Sequence, residues 1–428
     1  MSRPRQSGGG EFTHDEFMRG GVPPDAVFSE LESLRRDDFR WRDGKVFSLA
    51  YYAGPAAAAV SEEAYRRFSG ENALNTAAFP SLRQMQDDVL AIVGKWLGAG
   101  PEAAGFMTSG GTESLLMAVK AARDRARAER RTAKPNMVLP ASAHAAFEKA
   151  AAYFDVESRR VAVRSDWRAD VDAMRDVVDE NTVLIVGSAP QYPQGVMDDI
   201  QSIARIALEH NLNCHVDACM GGVTLPYLKK LGHEFAPWDL SVPGVSSISV
   251  DLHKFGYTSK GASVMMYASK QLRSHQVFMT DNWLGGLYGS SGVLGTKSGG
   301  SIASAWATMR FLGEDGYLNL TKIARRATEK LAAHITSDAR LILRAEPDTM
   351  LVCFGAADDN ALDIFGVGDE LWKRGWYVDR QEPPRSLHCT VNAAHENTVD
   401  DFIAQLSDAT DAVAGSGSRG DSRNYGTI

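Results

Sequence analysis

The segment Ser249 to Gly261, SVDLHKFGYTSKG, places Lys254 just past an apolar, strand-like run, with His253 before it and an aromatic residue and a glycine after it. A lysine whose pKa is depressed by partial burial is the group that forms a Schiff base with an aldehyde cofactor. Asp217, in HVDACMGG, ends another apolar run 37 residues earlier. A carboxylate there is either a strand-end turn residue or the group that keeps a cofactor ring nitrogen protonated, which makes the ring an electron sink. TSGGTES, Thr108 to Ser114, stands directly before a segment of helical period. Its glycines let backbone N–H groups approach an anion and the helix N-terminus adds its dipole, so the loop is either a phosphate cradle or an ordinary cap, with Thr112 capping in both cases. His144, in ASAHAAFEKAA, either stacks on the cofactor ring or caps the following helix. Lysine, carboxylate and phosphate loop together call for pyridoxal 5'-phosphate.

These residues need a frame that brings strand ends together. Short apolar or β-branched runs occur at 137–139, 161–163, 183–186, 214–216, 248–250 and 264–267, and helical periodicity between them is clearest at 114–131 and 198–211. Six strands alternating with helices predict an α/β fold with a mostly parallel sheet, whose ligand sits outside the strand ends. A long helical passage follows at about 301–335. Beyond it, TMLVCFG and SLHCTVN flank a helix near 366–374, and a last helix covers about 397–412, which predicts a small α+β C-terminal domain. The expected division is a disordered N-terminus at 1–14, an N-terminal segment contributing to the active site at 15–79, a large cofactor-binding domain at 80–310, a small domain at 311–412 and a disordered tail at 413–428.

With 428 residues, 44% apolar and 23% charged, the chain has ordinary globular composition, and disordered, collagenous and disulfide-stapled classes are excluded. A formal charge of -8 provides no general field for nucleic acid, so none is expected as a partner, and any anion must be bound locally. No run approaches the length of a membrane span, and MSRPRQSGGGEF lacks the apolar core of a signal peptide. Four cysteines without CxxC or zinc spacing predict buried free thiols and no metal. The expectation is a cytoplasmic protein with no transmembrane segment.

TSGGTESLLMAVKAARD, AHAAFEKAA, VGSAPQYPQG, HVDACMGG, SVDLHKFGYTSKGASVMMY and GGSIASAWATMRFLGEDGY together resemble the sphingosine-1-phosphate lyases, within the group II decarboxylase branch of pyridoxal phosphate enzymes. The resemblance covers about 40–412 and implies the aminotransferase-like fold, fold type I. It implies that Lys254 carries the cofactor, that Asp217 pairs with the ring nitrogen, that His144 stacks on the ring, and that Gly111, Thr112 and His253 bind the cofactor phosphate. Gly295 and Thr296 match a loop that the neighbouring subunit inserts into the site, which implies a homodimer with shared active sites. They lie in GGLYGSSGVLGTKSGG, seven glycines in sixteen residues, which suits close backbone approach. Lys260, Tyr52 and Asn72 match positions near the substrate. From the residues alone, Lys260 is equally a surface lysine and Tyr52 is more often a core aromatic. The family's NPLHPD is replaced here by Asn72-Ala73-Leu74-Asn75-Thr76-Ala77, which leaves the natural substrate open.

The implied activity is cleavage of a carbon–carbon bond in a phosphorylated long-chain amino alcohol, giving a fatty aldehyde and phosphoethanolamine. A decarboxylase, or an aldolase for another β-hydroxy amino acid, would use the same Lys254 and Asp217. A third reading is a pyridoxal-fold protein that binds a partner and no longer catalyses.

Overall fold

The computed structural model describes residues 20–414, apart from 131 and 133, together with residue 420. The expected disordered N-terminus at 1–14 and most of the expected tail fall outside these residues. Positions 413 and 414, assigned to that tail, instead close the last helix.

The chain separates into a unit ending at Arg40 and a unit from Trp41 onward. The first carries helix α1, Pro24–Leu34, which starts on a proline pre-set for the first turn and buries none of its side chains.

The second unit is built on a seven-stranded sheet. Its strands are β1 (Ala104–Thr108), β2 (Asn136–Pro140), β3 (Glu157–Val161), β4 (Thr182–Ser188), β5 (Asn213–Asp217), β6 (Val245–Asp251) and β7 (Ser263–Tyr267), in the spatial order β1-β7-β6-β5-β4-β2-β3. Strands β3, β2, β4, β5 and β6 pair in parallel, while β7 is antiparallel to both β6 and β1. Every residue of β4, β5 and β6 is buried, as a central parallel strand covered on both faces requires. Helices α2 (Pro55–Arg67), α3 (Pro80–Trp96), α4 (Gly111–Arg130), α5 (Ala146–Phe154) and α6 (Ile200–His210) belong to the same unit. Helix α6 shows how local chemistry sets its ends: Asp199 accepts from the Ser202 N–H at the start, Asn211 turns left-handed at the stop, and Ile200, Ile203, Ala204, Ile206 and Ala207 are buried between.

Two strands depart from the sequence expectation. Strand β1 lacks a β-branched run and contains Gly105, because a Cβ there would lie 2.7 Å from Leu90 Cδ2 and 3.0 Å from the Met266 sulfur. Strand β3 precedes the expected 161–163. It lies at the sheet edge, so its Arg159 and Arg160 stay half-buried and the segment carries no apolar signature.

Helix α7, Gly299–Ser337, crosses position 311 and has non-helical backbone only at Gly313. The smaller C-terminal domain holds an antiparallel sheet, β10 (Leu341–Leu343), β11 (Leu351–Ala356), β13 (Ser386–Thr390) and β12 (Asp379–Gln381) in that order, with helices α8 (Ile364–Lys373) and α9 (Val399–Ala414). A separate hairpin pairs β8 (Phe278–Thr280) with β9 (Tyr288–Ser290). The segment 45–47 runs along the small domain: Phe47 N–H donates to Tyr377 O and Thr390 N–H donates to Phe47 O. That track delivers residues 49–52 towards the end of the large sheet.

Candidate active site

A cavity of about 460 Å³ opens where β5 and β6 end and helix α4 begins. Lys254, Asp217, His144, Gly111, Thr112, His253 and Lys260, all named from the sequence, line it together.

Lys254 follows β6 by three residues, and its Nζ lies 3.0 Å from Asp251 Oδ2. Burial by itself pushes the amine down, but the charge of Asp251 overrides it and holds the ammonium well above its ordinary value. Asp251 is the last residue of β6 and is buried, which favours its neutral form, yet Lys254, His253 and a 2.5 Å hydrogen bond from Ser263 Oγ keep its carboxyl below the usual range. Sequence reasoning passed over Asp251, although it stands three residues before the lysine and would have been visible as a carboxylate on the same strand end.

Asp217 ends β5 across the cavity. Its Oδ1 accepts from Cys219 N–H at 3.1 Å and from Ser249 Oγ at 3.4 Å, so the carboxylate is oriented from behind. Ser249 Oγ in turn lies 3.2 Å from Nε2 of His215, a histidine that burial pushes down to about 4 and so keeps neutral.

His144 takes the helix-start position of its capping reading and also lines the cavity. Its Nδ1 accepts the Ala146 N–H at 3.1 Å at the start of α5, while its ring lines the cavity. That bond places the neutral ring's proton on Nε2, and burial, stronger than the opposing pull of Asp217, lowers the pKa. His253 directs Nδ1 at Ala262 O, 2.9 Å away, and burial likewise lowers its pKa.

Another wall is the start of α4, a helix of 20 residues whose first turn exposes Thr112 to the cavity. A Cβ on Gly111 would stand 2.7 Å from Asp251 Oδ2 and 3.1 Å from Cys219 Sγ, so only glycine lets the backbone come this close. Glu113, absent from the sequence-derived site, is buried in the same turn. Its two oxygens accept the Ser109 N–H at 2.6 Å and the Val293 N–H at 2.7 Å.

Lys260 stands at the cavity mouth. Its Nζ donates to Leu49 O at 2.7 Å and to His253 O at 3.2 Å, and Leu49 adopts a left-handed φ of 63° that turns this carbonyl inward. Surrounding protein, helped by the Lys254 charge, pushes the Lys260 amine down to about 8. The aromatic partner is Tyr51, whose ring lies 5.2 Å from Lys260 Nζ and packs edge-on against Phe255. Tyr52 turns the other way and meets Trp41 edge-on at 5.9 Å, so within YYAG it is Tyr51 that lies against Lys260. Adjacent residues in extended chain point to opposite sides, and sequence alone does not say which side faces the cavity.

Asn72, Gly295 and Thr296 are brought together, but not in the lining of this cavity. Asn72 Nδ2 donates to Thr296 Oγ1 at 3.3 Å, and Asn72 pairs with Ser298 in an isolated bridge. Next to them Lys297 rests its ammonium 3.9 Å from the Phe106 ring, and burial pushes it down to about 8.

A parallel sheet with a lysine and a carboxylate at neighbouring strand ends, facing a glycine-opened helix N-terminus, defines a pyridoxal phosphate enzyme of fold type I. The close approach at Gly111, the oriented carboxylate at Asp217 and the amine of Lys254 fit the phosphate, ring nitrogen and aldehyde of that cofactor. The pyridoxal-dependent decarboxylase conserved domain matches residues 40–357, and the chain belongs to that family. It is 38% identical over 395 residues to sphingosine-1-phosphate lyase of Arabidopsis thaliana, covering 90% of this chain and 72% of that one. Sphingosine-1-phosphate lyase of Burkholderia pseudomallei superposes with a TM-score of 0.88 at 35% identity, over 96% of this chain and 95% of the other. Glutamate decarboxylase of Lactobacillus brevis, 22% identical, shares the fold with a TM-score of 0.81 over 92% of this chain and 94% of its own.

Among the described residues no helix is long and apolar enough to cross a membrane. All four cysteines are free and buried.

Proposed function

We propose that this enzyme cleaves the carbon–carbon bond of a phosphorylated long-chain amino alcohol of the sphingosine 1-phosphate type, releasing a fatty aldehyde and phosphoethanolamine. The observation that carries this reading is the second lysine, Lys260, on the same cavity as Lys254 with its amine pushed down to about 8. Decarboxylation needs no base for a hydroxyl; cleavage next to a hydroxyl does. The similarity to lyases of sphingosine 1-phosphate along nearly the whole chain supports the same substrate class.

Pyridoxal phosphate, when bound, supplies an aldehyde for the substrate amine and a ring that takes up the electron pair of the broken bond. In this reading Lys254 would hold the cofactor at its aldehyde. Asp217 keeps the ring nitrogen protonated, with Cys219 N–H and Ser249 aiming it. His144 lies against the ring. Gly111, Thr112 and His253 hold the phosphate at the start of α4, where N–H groups and helix dipole favour an anion. Lys260 takes the hydroxyl proton, with Tyr51 beside it.

The protein works as a homodimer in which Gly295 and Thr296 of each chain complete the neighbour's site. Two features support this: neither residue lines the cavity of its own chain, and Trp283, Leu284, Leu287, Val293 and Leu294 leave apolar side chains exposed along the same loop. Asn72 acts by holding that loop. The enzyme resides in the cytoplasm, where its four buried thiols stay reduced.

The test is a paired assay of aldehyde release from phosphorylated sphingoid bases and of carbon dioxide release from amino acids. Aldehyde release is expected; carbon dioxide release alone would make the enzyme a decarboxylase. Failure to form a visible absorbance band on addition of pyridoxal phosphate would favour the non-catalytic reading.

A further inference from the structure

Glu113 belongs to helix α4, yet it grips two loops that are far apart in sequence. One oxygen receives the N–H of Ser109 at the phosphate cradle, and the other receives the N–H of Val293 in the glycine-rich loop. The side chain is 6% exposed, so both bonds are made away from bulk water, where a carboxylate with two N–H donors is held firmly. The loop is shaped to this contact: a Cβ on Gly292 would fall 2.4 Å from Glu113 Oε1 and 3.2 Å from Phe106. Beyond the tip the loop is pinned again, by Ala73 N–H to Lys297 O at 2.8 Å and by Asn72 Nδ2 to Thr296 Oγ1. The two anchors leave Leu294 and Gly295 between them, with Val293 and Leu294 exposed.

We propose that Glu113 is a positioning residue that acts on both active sites of the dimer, on its own through Ser109 and on the neighbour's through Val293, by holding in place the loop segment that carries Gly295 and Thr296. The inference rests on the shared-site homodimer proposed above. It carries a consequence that a merely local role lacks: the effect of losing Glu113 crosses to the other subunit.

The experiment uses mixed dimers purified from two differently tagged chains. One subunit is unaltered and has the only competent lysine; its partner carries Lys254→Ala, so that the Schiff-base absorbance band and turnover report on the unaltered subunit's site alone. Three further partners carry, in addition to Lys254→Ala, Glu113→Gln, Val293→Pro or a Gly295→Asp/Thr296→Asp pair. Gln keeps the size of Glu113 but sets an amide N–H against one backbone N–H, and Pro removes the Val293 donor while leaving Glu113 intact. Pyridoxal phosphate is titrated by absorbance into the cofactor-free dimers, and amide exchange is followed over 288–297.

The expected result is that Glu113→Gln and Val293→Pro in the partner each weaken cofactor binding in the unaltered site by about tenfold or more and speed exchange in the partner's loop. Cofactor affinity within twofold of the control for both variants, while the Gly295/Thr296 partner weakens it, would overturn the role of Glu113 and leave the shared site standing. No effect from any of the three partners would overturn the shared site, and the role of Glu113 with it.

Discussion

Lys254 Nζ stands 3.0 Å from Asp251 Oδ2, so the lysine proposed to receive the cofactor is ion-paired with a buried carboxylate three residues before it. Each charge shifts the other towards its ionised form. In the cofactor-free protein the amine is thereby held protonated, and it must lose a proton before it attacks an aldehyde.

Lys254→Ala is therefore expected to do more than abolish the borohydride-reducible adduct. It leaves Asp251 buried without its main partner, and removing one member of such a pair costs about 1–3 kcal/mol when a hydrogen bond and some solvent access remain. Denaturant unfolding should show that loss in the cofactor-free protein, and Lys254→Ala/Asp251→Asn should recover much of it. An additive double variant would show that the two groups do not interact.

Activity should rise with pH through about 8 as Lys260 loses its proton, since only the free amine accepts one. Lys260→Gln should remove that inflection and lower kcat/KM by about 10²-fold or more while keeping the bound cofactor's colour. Lys297 also titrates at about 8 but sits outside the cavity lining, so Lys297→Gln should retain the inflection. A pH profile unchanged by Lys260→Gln would return that lysine to a structural role.

Tyr51→Phe and Tyr52→Phe should separate cleanly. The Tyr51 ring lies against Lys260, and loss of its hydroxyl should reduce turnover by about tenfold. Tyr52→Phe should stay within about twofold, because that ring packs on Trp41. Equal effects of the two changes on kcat would contradict the orientation of YYAG described above.

Acid should destabilise the fold through three buried histidines. Burial lowers His215, His388 and His395 to about 4, below the unfolded value of about 6.5. The unfolded chain thus binds more protons, and the stability these residues contribute is present above pH about 6.5 and lost as pH falls through about 4. Urea unfolding between pH 7 and 4.5 should show this decline, with a shallower slope in His388→Asn. A flat profile over that interval would mean that the histidines take up protons as readily in the folded protein as in the unfolded chain.

The grouping of residues around the cavity was legible where they stand at the ends of regular elements. Lys254, Asp217 and the TSGGT loop each stand at a strand end or helix start that the apolar runs define, and a parallel sheet with one chain direction brings such ends to one edge. The same pattern covered five of the large sheet's strands closely, whereas β1 and β3 escaped it: one makes room for Leu90 and Met266 with a glycine, the other shows arginines at the sheet edge. Tertiary structure alone decided the contacts between distant segments. Tyr51 rather than Tyr52 lies against Lys260, while Tyr52 packs on Trp41. Glu113 meets Val293 across 180 positions, and Asn72 meets Thr296 across 224. Local propensity reports the period and the ends of an element, whereas the partner of a buried polar group is chosen by packing that joins segments far apart in the chain.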